Sequence, residues 1–165
     1  MKRTVIIVRH GKACSLDAFE KDIDRVLTQR GVNDGYKVAK KNLKSGIKPD
    51  LILTSPAARA SHSALIFARA MKTGTDIVRV VENMYYGSAT KMLNGMSALP
   101  DEVKTLALFG HNPAISDLAE HLTRGATSFL PTTGVAILNY DIKEWKDIIK
   151  SDPTDYDFII PKKLK

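Results

Sequence analysis

Thr4-Val5-Ile6-Ile7-Val8-Arg9-His10-Gly11-Lys12 is the stretch that decides the fold. Thr4 to Val8 is an unbroken, β-branched run with the length and composition of a strand buried on both faces. It ends at once in a guanidinium, an imidazole and a glycine. In open α/β sheets, ligands bind in the crevice beyond the carboxyl ends of the strands. Arg9 and His10 are therefore aimed at such a crevice, with His10 as candidate nucleophile and a phosphoryl group as its expected target.

Working outward, the rest of the chain alternates strands with helices. Residues 13–30 show no sustained period and read as a loop with a short helical turn. A helix is expected from Asn33, with Asn33 or Asp34 as cap, through Tyr36, Ala39, Leu43 and Ile47, stopping near Gly46 before Pro49. Leu51–Thr54 is the second strand. Ser55 is expected to cap the next helix, with Pro56 at its first position, running to about Met71. Strands are expected at 77–81, 105–109 and 134–140, with Glu82–Gly87 as a loop and a helix from Ser88 to about Leu99. Asn112 is the expected cap of a further helix that begins at Pro113. Residues 144–150 read as a short helix or strand, and Tyr156–Ile160 as an edge strand ended by Pro161. Strand–helix alternation implies right-handed βαβ units: a three-layer α/β sandwich with a mainly parallel sheet and helices on both faces. At 165 residues the chain is expected to form one domain, 1–165.

Three strands end in the same style. The first gives Arg9-His10-Gly11, the second Thr54-Ser55-Pro56 with Arg59 one turn on, and the fourth Gly110-His111-Asn112-Pro113. Parallel strands put these ends on one sheet edge. Two arginines and two histidines then share a small volume with the N–H groups of at least two helix N-termini, which favour anions. Arginine adds forked donors matched to phosphate oxygens. Competing motifs fail on spacing. Gly11-Lys12-Ala13 lacks the upstream glycine and following Ser/Thr of a P-loop, and no G-x-S-x-G elbow is present. His10, His62, His111 and His121 lack metal-site spacing, and arginines beside them would repel a cation, so no metal is expected.

Composition sets outer bounds. The chain is 44% hydrophobic and 26% charged, ordinary for a soluble domain, and has no 18-residue apolar stretch. Met1-Lys2-Arg3 is followed by too short an apolar run for a signal peptide, so a cytoplasmic location is expected. The one cysteine, Cys14, forms no internal disulfide and reads as a small loop residue. The net charge of +7 suits phosphorylated ligands or acidic partners. Its basic residues are dispersed and not interleaved with aromatics, which argues against nucleic acid. The Lys162-Lys163-Lys165 cluster reads as a solvated tail.

Arg9-His10-Gly11 after an N-terminal strand, Leu53-Thr54-Ser55-Pro56-Ala57-Ala58-Arg59-Ala60 and Gly110-His111-Asn112-Pro113 resemble, in that order, the histidine phosphatase superfamily. The small size, Arg25-Val26-Leu27-Thr28 with Gly31, and Trp145 with the Pro161-Lys162 ending are similar to its SixA-type phosphohistidine phosphatases. The resemblance implies the histidine phosphatase (phosphoglycerate mutase-like) fold. It also implies a metal-independent phosphatase without cofactor, in which His10 carries the phosphoryl group and Arg9, Arg59 and His111 bind its oxygens. Lys12 and Ser15 are further candidates for phosphate contact. His10 must attack as a neutral ring, so its other nitrogen is expected to donate to a fixed acceptor such as a backbone carbonyl.

Many members also have an acid that protonates the leaving group. One branch carries it in the segment matching Glu82–Gly87, where Glu82 is the candidate, shifted by one with Asn83 in its place. The other branch has it directly after the second histidine, where this chain has Asn112. A missing acid suits phosphohistidine, whose imidazole leaves readily. The expected substrate is therefore phosphohistidine on a protein. A small-molecule phosphomonoester and a non-catalytic phosphate-binding role stay open as alternatives.

Overall fold

The computed structural model describes residues 1–164; Lys165, in the expected solvated tail, lies outside the described residues. Six strands form one sheet: β1 (Lys2–Arg9), β2 (Leu51–Thr54), β3 (Val78–Val80), β4 (Thr105–Gly110), β5 (Val135–Asp141) and β6 (Asp155–Ile159). Their order across the sheet is β3-β2-β4-β1-β5-β6. β1, β2, β3 and β4 run parallel, whereas β5 is antiparallel to both β1 and β6. The sheet is thus mostly parallel with an antiparallel portion. The reversal arises because the loop after the last helix returns to the edge where β1 ends. There Thr133 N–H donates to the Arg9 and His10 carbonyls at 3.1 Å.

Alternation along β1 explains why it is central. Ile6 and Val8 join Phe67, Val38 and Ala64 in one core, beneath α1 (Gln29–Lys44) and α2 (Ala58–Met71). Val5 and Ile7 join Met96, Leu118 and Trp145 in the other, beneath α3 (Ala89–Ser97) and α4 (Ala114–Leu122). Both faces are covered, as the uninterrupted apolar run requires.

Several helix starts differ from expectation. α1 begins at Gln29, not Asn33, and Thr28 Oγ1 accepts the Gly31 N–H at 3.0 Å. Gly31 and Gly35 masked that start, since glycine weakens a helical pattern. Gly31 meets a packing demand: a Cβ there would sit 2.3 Å from the Lys12 carbonyl oxygen. α2 begins at Ala58 and α4 at Ala114, so Ser55 and Asn112 are not caps. Ser55 Oγ accepts the Ala57 N–H at 3.2 Å, and Asn112 Oδ1 accepts the Ser116 hydroxyl at 2.6 Å. Ser55 thus serves the turn before its helix, and Asn112 braces the first turn of α4 through a side chain, not through a backbone N–H. Ser88 does cap α3, accepting from the Lys91 N–H. Residues 145–149 form a 3-10 turn, and β6 is the edge strand before Pro161.

Arg3, at the amino end of β1, is fully buried. It donates to the Val103 carbonyl at 2.9 Å, the Lys143 carbonyl at 2.8 Å and Asp101 Oδ1 at 3.0 Å. Its guanidinium lies 5.3 Å from the Trp145 ring centroid. Arg3→Ala would leave those carbonyls unpaired and is expected to cost about 3 kcal/mol. Urea denaturation should show this as a lower midpoint with an unchanged slope; a loss below about 0.5 kcal/mol would contradict it.

Candidate active site

The carboxyl ends of β1, β2 and β4 lie side by side, with Thr54 opposite Phe109 and Arg9 opposite Gly110 in the ladders. The expected convergence is therefore present. Arg9, His10, Lys12, Ala13, Arg25, Arg59, His111, Asn112 and Thr132 line a pocket of about 210 Å³. Four of those side chains are cationic and none is a carboxylate. Such a ring of positive charge favours an anion.

His10 is held in one tautomer. Its Nδ1 lies 2.8 Å from the Gly11 carbonyl oxygen. A carbonyl can only accept, so Nδ1 carries the hydrogen and Nε2 keeps its lone pair. The turn beneath is braced by Ser63, whose Oγ accepts the Gly11 N–H at 2.9 Å and donates to the Arg59 carbonyl at 2.7 Å. Burial pushes the His10 ring down to about 3, helped by the positive charges of His111, Arg59 and Arg9 and opposed by the Gly11 carbonyl. His10 is therefore a neutral base with an available nitrogen at physiological pH.

His111 sits beside it, the ring centroids 5.1 Å apart. Its Nε2 is 2.7 Å from Ser55 Oγ, and its buried Nδ1 has no protein partner. Burial, then the charge of Arg59, pushes this ring down to about 4. Arg9 donates to the Leu130 carbonyl at 3.2 Å and lies 5.5 Å from the Phe129 ring centroid, while its buried Nε is unpartnered. Burial lowers its pKa from the usual guanidinium value.

Arg59 is nearly buried and is fixed by Asp22, donating to its carbonyl at 2.8 Å and to Oδ2 at 2.9 Å. Asp22 also accepts from Arg25 Nη1 at 3.0 Å and from the Tyr85 hydroxyl. The Tyr85 bond and the two arginines hold its carboxyl well below the ordinary carboxylate range, against partial desolvation. Desolvation and that carboxylate push Tyr85 up to about 12. Asp22, Ser63 and Tyr85 carried no signal in the sequence, and Arg25 and Ser55 stood out only as part of a family-like motif and as an expected helix cap. Asp22 reaches partners 37 and 63 positions away, a relation with no local signal.

Two expected phosphate or acid groups stand elsewhere. Ser15 does not line the pocket; its hydroxyl accepts the Asp17 N–H and starts a 3-10 turn. Glu82 is also outside it, exposed at the start of another 3-10 turn, and lines an adjoining space of about 600 Å³ with Lys21, Asp22, Tyr85 and Tyr86. Lys12 does line the pocket. Cys14 remains a free thiol in the neighbouring loop. Among the described residues, no three His, Cys, Asp or Glu side chains gather as a metal-ligand set, and no helix is long and apolar enough to cross a membrane.

Comparison with known proteins agrees with this geometry. The family model of the histidine phosphatase superfamily (branch 1) matches residues 5–124. An uncharacterised protein of Picosynechococcus sp. is 31% identical over 121 residues, covering 72% of each chain. A crystal structure described as the "putative phosphohistidine phosphatase SixA" of Agrobacterium tumefaciens is 26% identical, with a TM-score of 0.78 over 93% of this chain and 96% of that one. A protein histidine phosphatase SixA complexed with tungstate, 23% identical, shares the fold with a TM-score of 0.82 over 98% of this chain and 99% of that one.

Proposed function

This chain belongs to the histidine phosphatase superfamily and is a phosphatase, and from that premise we propose that it removes phosphate from phosphohistidine on a protein, through a phosphohistidine intermediate on His10 and without metal. The observation that carries the reading is the fixed tautomer of His10, its Nε2 lone pair held in a pocket ringed by four cationic side chains and no carboxylate.

In this reading His10 Nε2 attacks phosphorus, the substrate P–N bond breaks, and the departing imidazole takes a proton from water. Water then attacks the phosphorus on His10, the P–Nε2 bond breaks, and inorganic phosphate leaves. One displacement becomes two easier ones. Arg9, Arg59 and His111 bind the equatorial oxygens, each well-placed donor worth about 3 kcal/mol. Lys12 adds charge at the rim. Arg9, Arg59, Arg25 and Lys12 supply the positive charge a metal would otherwise bring, and neutral His111 adds a hydrogen-bond donor.

The choice of substrate rests on the missing acid. Asp22 stays ionised and so donates no proton. Glu82 is exposed in the adjoining space. Imidazole needs less protonation than an alkoxide to leave, which suits such a site. The 26% identical A. tumefaciens protein, described as a "putative phosphohistidine phosphatase", is in keeping with the same substrate.

The test is phosphate release in chelator from a phosphohistidine peptide, an aryl phosphate and a sugar phosphate. Phosphohistidine is expected to be hydrolysed fastest. Faster turnover of the sugar phosphate would move the function to small-molecule phosphomonoesters, with Glu82 as the first acid to replace. Phosphate binding with no turnover of any substrate would mean a non-catalytic module.

A pH dependence follows. Protonation of His10 removes the Nε2 lone pair, and that protonation is held down to about 3. Phosphoenzyme formation, corrected for substrate ionisation, should stay level from about pH 8 to about pH 5 and fall only below that. A loss centred near the ordinary histidine value of about 6.5 would contradict the buried, neutral nucleophile.

A further inference from the structure

Four rings lead out of the phosphate pocket in single file. The His10 and His111 centroids are 5.1 Å apart, His111 and Tyr85 5.5 Å, and Tyr85 and Tyr86 4.3 Å. The inner three are held. His10 is bonded to Gly11, His111 to Ser55 and Tyr85 to Asp22. The outermost, Tyr86, is 88% exposed and stands edge-on to Tyr85. It lines the adjoining space of about 600 Å³, together with Ile23, Pro56, Lys21, Glu82 and Asn83. That space is nearly three times the volume of the 210 Å³ phosphate pocket. It is joined to the pocket through Asp22, which holds Arg59, and through Pro56, which follows the Ser55 bonded to His111.

We propose that this space is a leaving-group subsite selective for phosphoryl groups carried on a planar ring, with exposed Tyr86 as the stacking platform and Ile23 and Pro56 as apolar walls. The inference rests on the reading of the His10 pocket as the phosphoryl site. A large aromatic ring left this open to water gains by covering its face with another ring or an apolar surface. Of the two carboxylates that line the space, Asp22 is engaged by Arg59, Arg25 and Tyr85 and Glu82 is exposed to water, whereas Tyr86 offers a bare ring face. An imidazole or a phenol has the required flat face, and both leave from phosphorus with less acid help than an alkoxide. The subsite therefore favours leaving groups that depart with little acid help from the phosphate pocket, whose own lining holds no carboxylate.

The test is a binding titration of the resting protein with phenylphosphonate, methylphosphonate and inorganic phosphate, repeated for Tyr86→Ala and Tyr86→Phe. The wild-type protein and Tyr86→Phe should prefer phenylphosphonate to methylphosphonate about tenfold, and Tyr86→Ala should lose that preference while still binding inorganic phosphate. An equal preference in Tyr86→Ala and wild type, with phosphate bound by both, would overturn the subsite and leave the phosphatase reading standing. Failure of all three proteins to bind phosphate would overturn both. Two further arms, kcat/KM for phosphohistidine and phosphotyrosine peptides, identify which ring the subsite meets. A Tyr86→Ala loss in kcat/KM for at least one of them, carried by KM, is the expected result; a loss for neither would contradict ring selection.

Discussion

Replacing His10 with alanine is expected to reduce phosphate release by about 10⁴-fold or more, since removing a nucleophile abolishes the covalent route and leaves only the binding pocket. The expectation rests on three features of this side chain. The Gly11 carbonyl fixes the hydrogen on Nδ1, burial keeps the ring neutral, and β1 ends so that the ring lines the cationic pocket. No neighbouring group can substitute. His111 is tied at Nε2 to Ser55, and Cys14 does not line the pocket. The His10 ring is near the surface of the pocket and is not part of either apolar core. Circular dichroism and inorganic phosphate binding should therefore survive the substitution. Turnover within tenfold of wild type would assign the nucleophile elsewhere.

The second large effect is at Arg59. Arg59→Ala should lower kcat/KM by about 100- to 1000-fold, the loss typical of one donor aimed at charge that develops in the transition state. Arg59→Lys should recover little of it. A single ammonium cannot hold the Asp22 carbonyl and carboxylate through two nitrogens and also present a flat fork to phosphate. The Asp22 contact also separates catalysis from folding. Without Arg59, Asp22 keeps Arg25 and Tyr85 as partners, so the loop stays anchored. Steady-state kinetics beside thermal unfolding would show this, with activity falling far more than stability. Full activity in Arg59→Lys would mean that charge alone, without the fork, is what the site requires.

The sequence was informative where local pattern and topology coincide. Thr4–Val8 reads as a doubly buried strand because every position is apolar or β-branched, and its two faces do enter two different cores. Arg9, His10, Arg59 and His111 could be brought together without coordinates because strands alternating with helices are expected to be parallel, and parallel strands share an edge. The reversed direction of β5 was not legible, since a strand's apolar pattern carries no arrow. Its direction is set by the loop that brings Thr133 back to the His10 carbonyl. Ser55 and Asn112 looked like helix caps because their residue types suit caps, yet Ser55 bonds the Ala57 N–H ahead of its helix and Asn112 bonds the Ser116 hydroxyl and not a helix N–H.

The parts of the site that escaped the sequence share one property. Asp22 was one acid among several in a patternless loop, and Tyr85 one aromatic in another. Each acquires its role through a contact made only when both loops fold over the end of α2. Glu82 drew attention because family resemblance pointed to its segment. The fold instead turns that segment into the wall of the outer space, where Tyr85 and not Glu82 is the side chain packed against His111. Resemblance can find a segment, but which side chain of it faces the reacting atoms depends on the local turn.

The most direct test of the central claim is to mix the protein with a radiolabelled phosphohistidine donor, quench it within the first turnover and map the label. The account predicts one labelled site, His10, with phosphate that is lost in acid and retained in base. Label on any other residue, acid-stable label, or rapid turnover with no labelled protein at any time would contradict it.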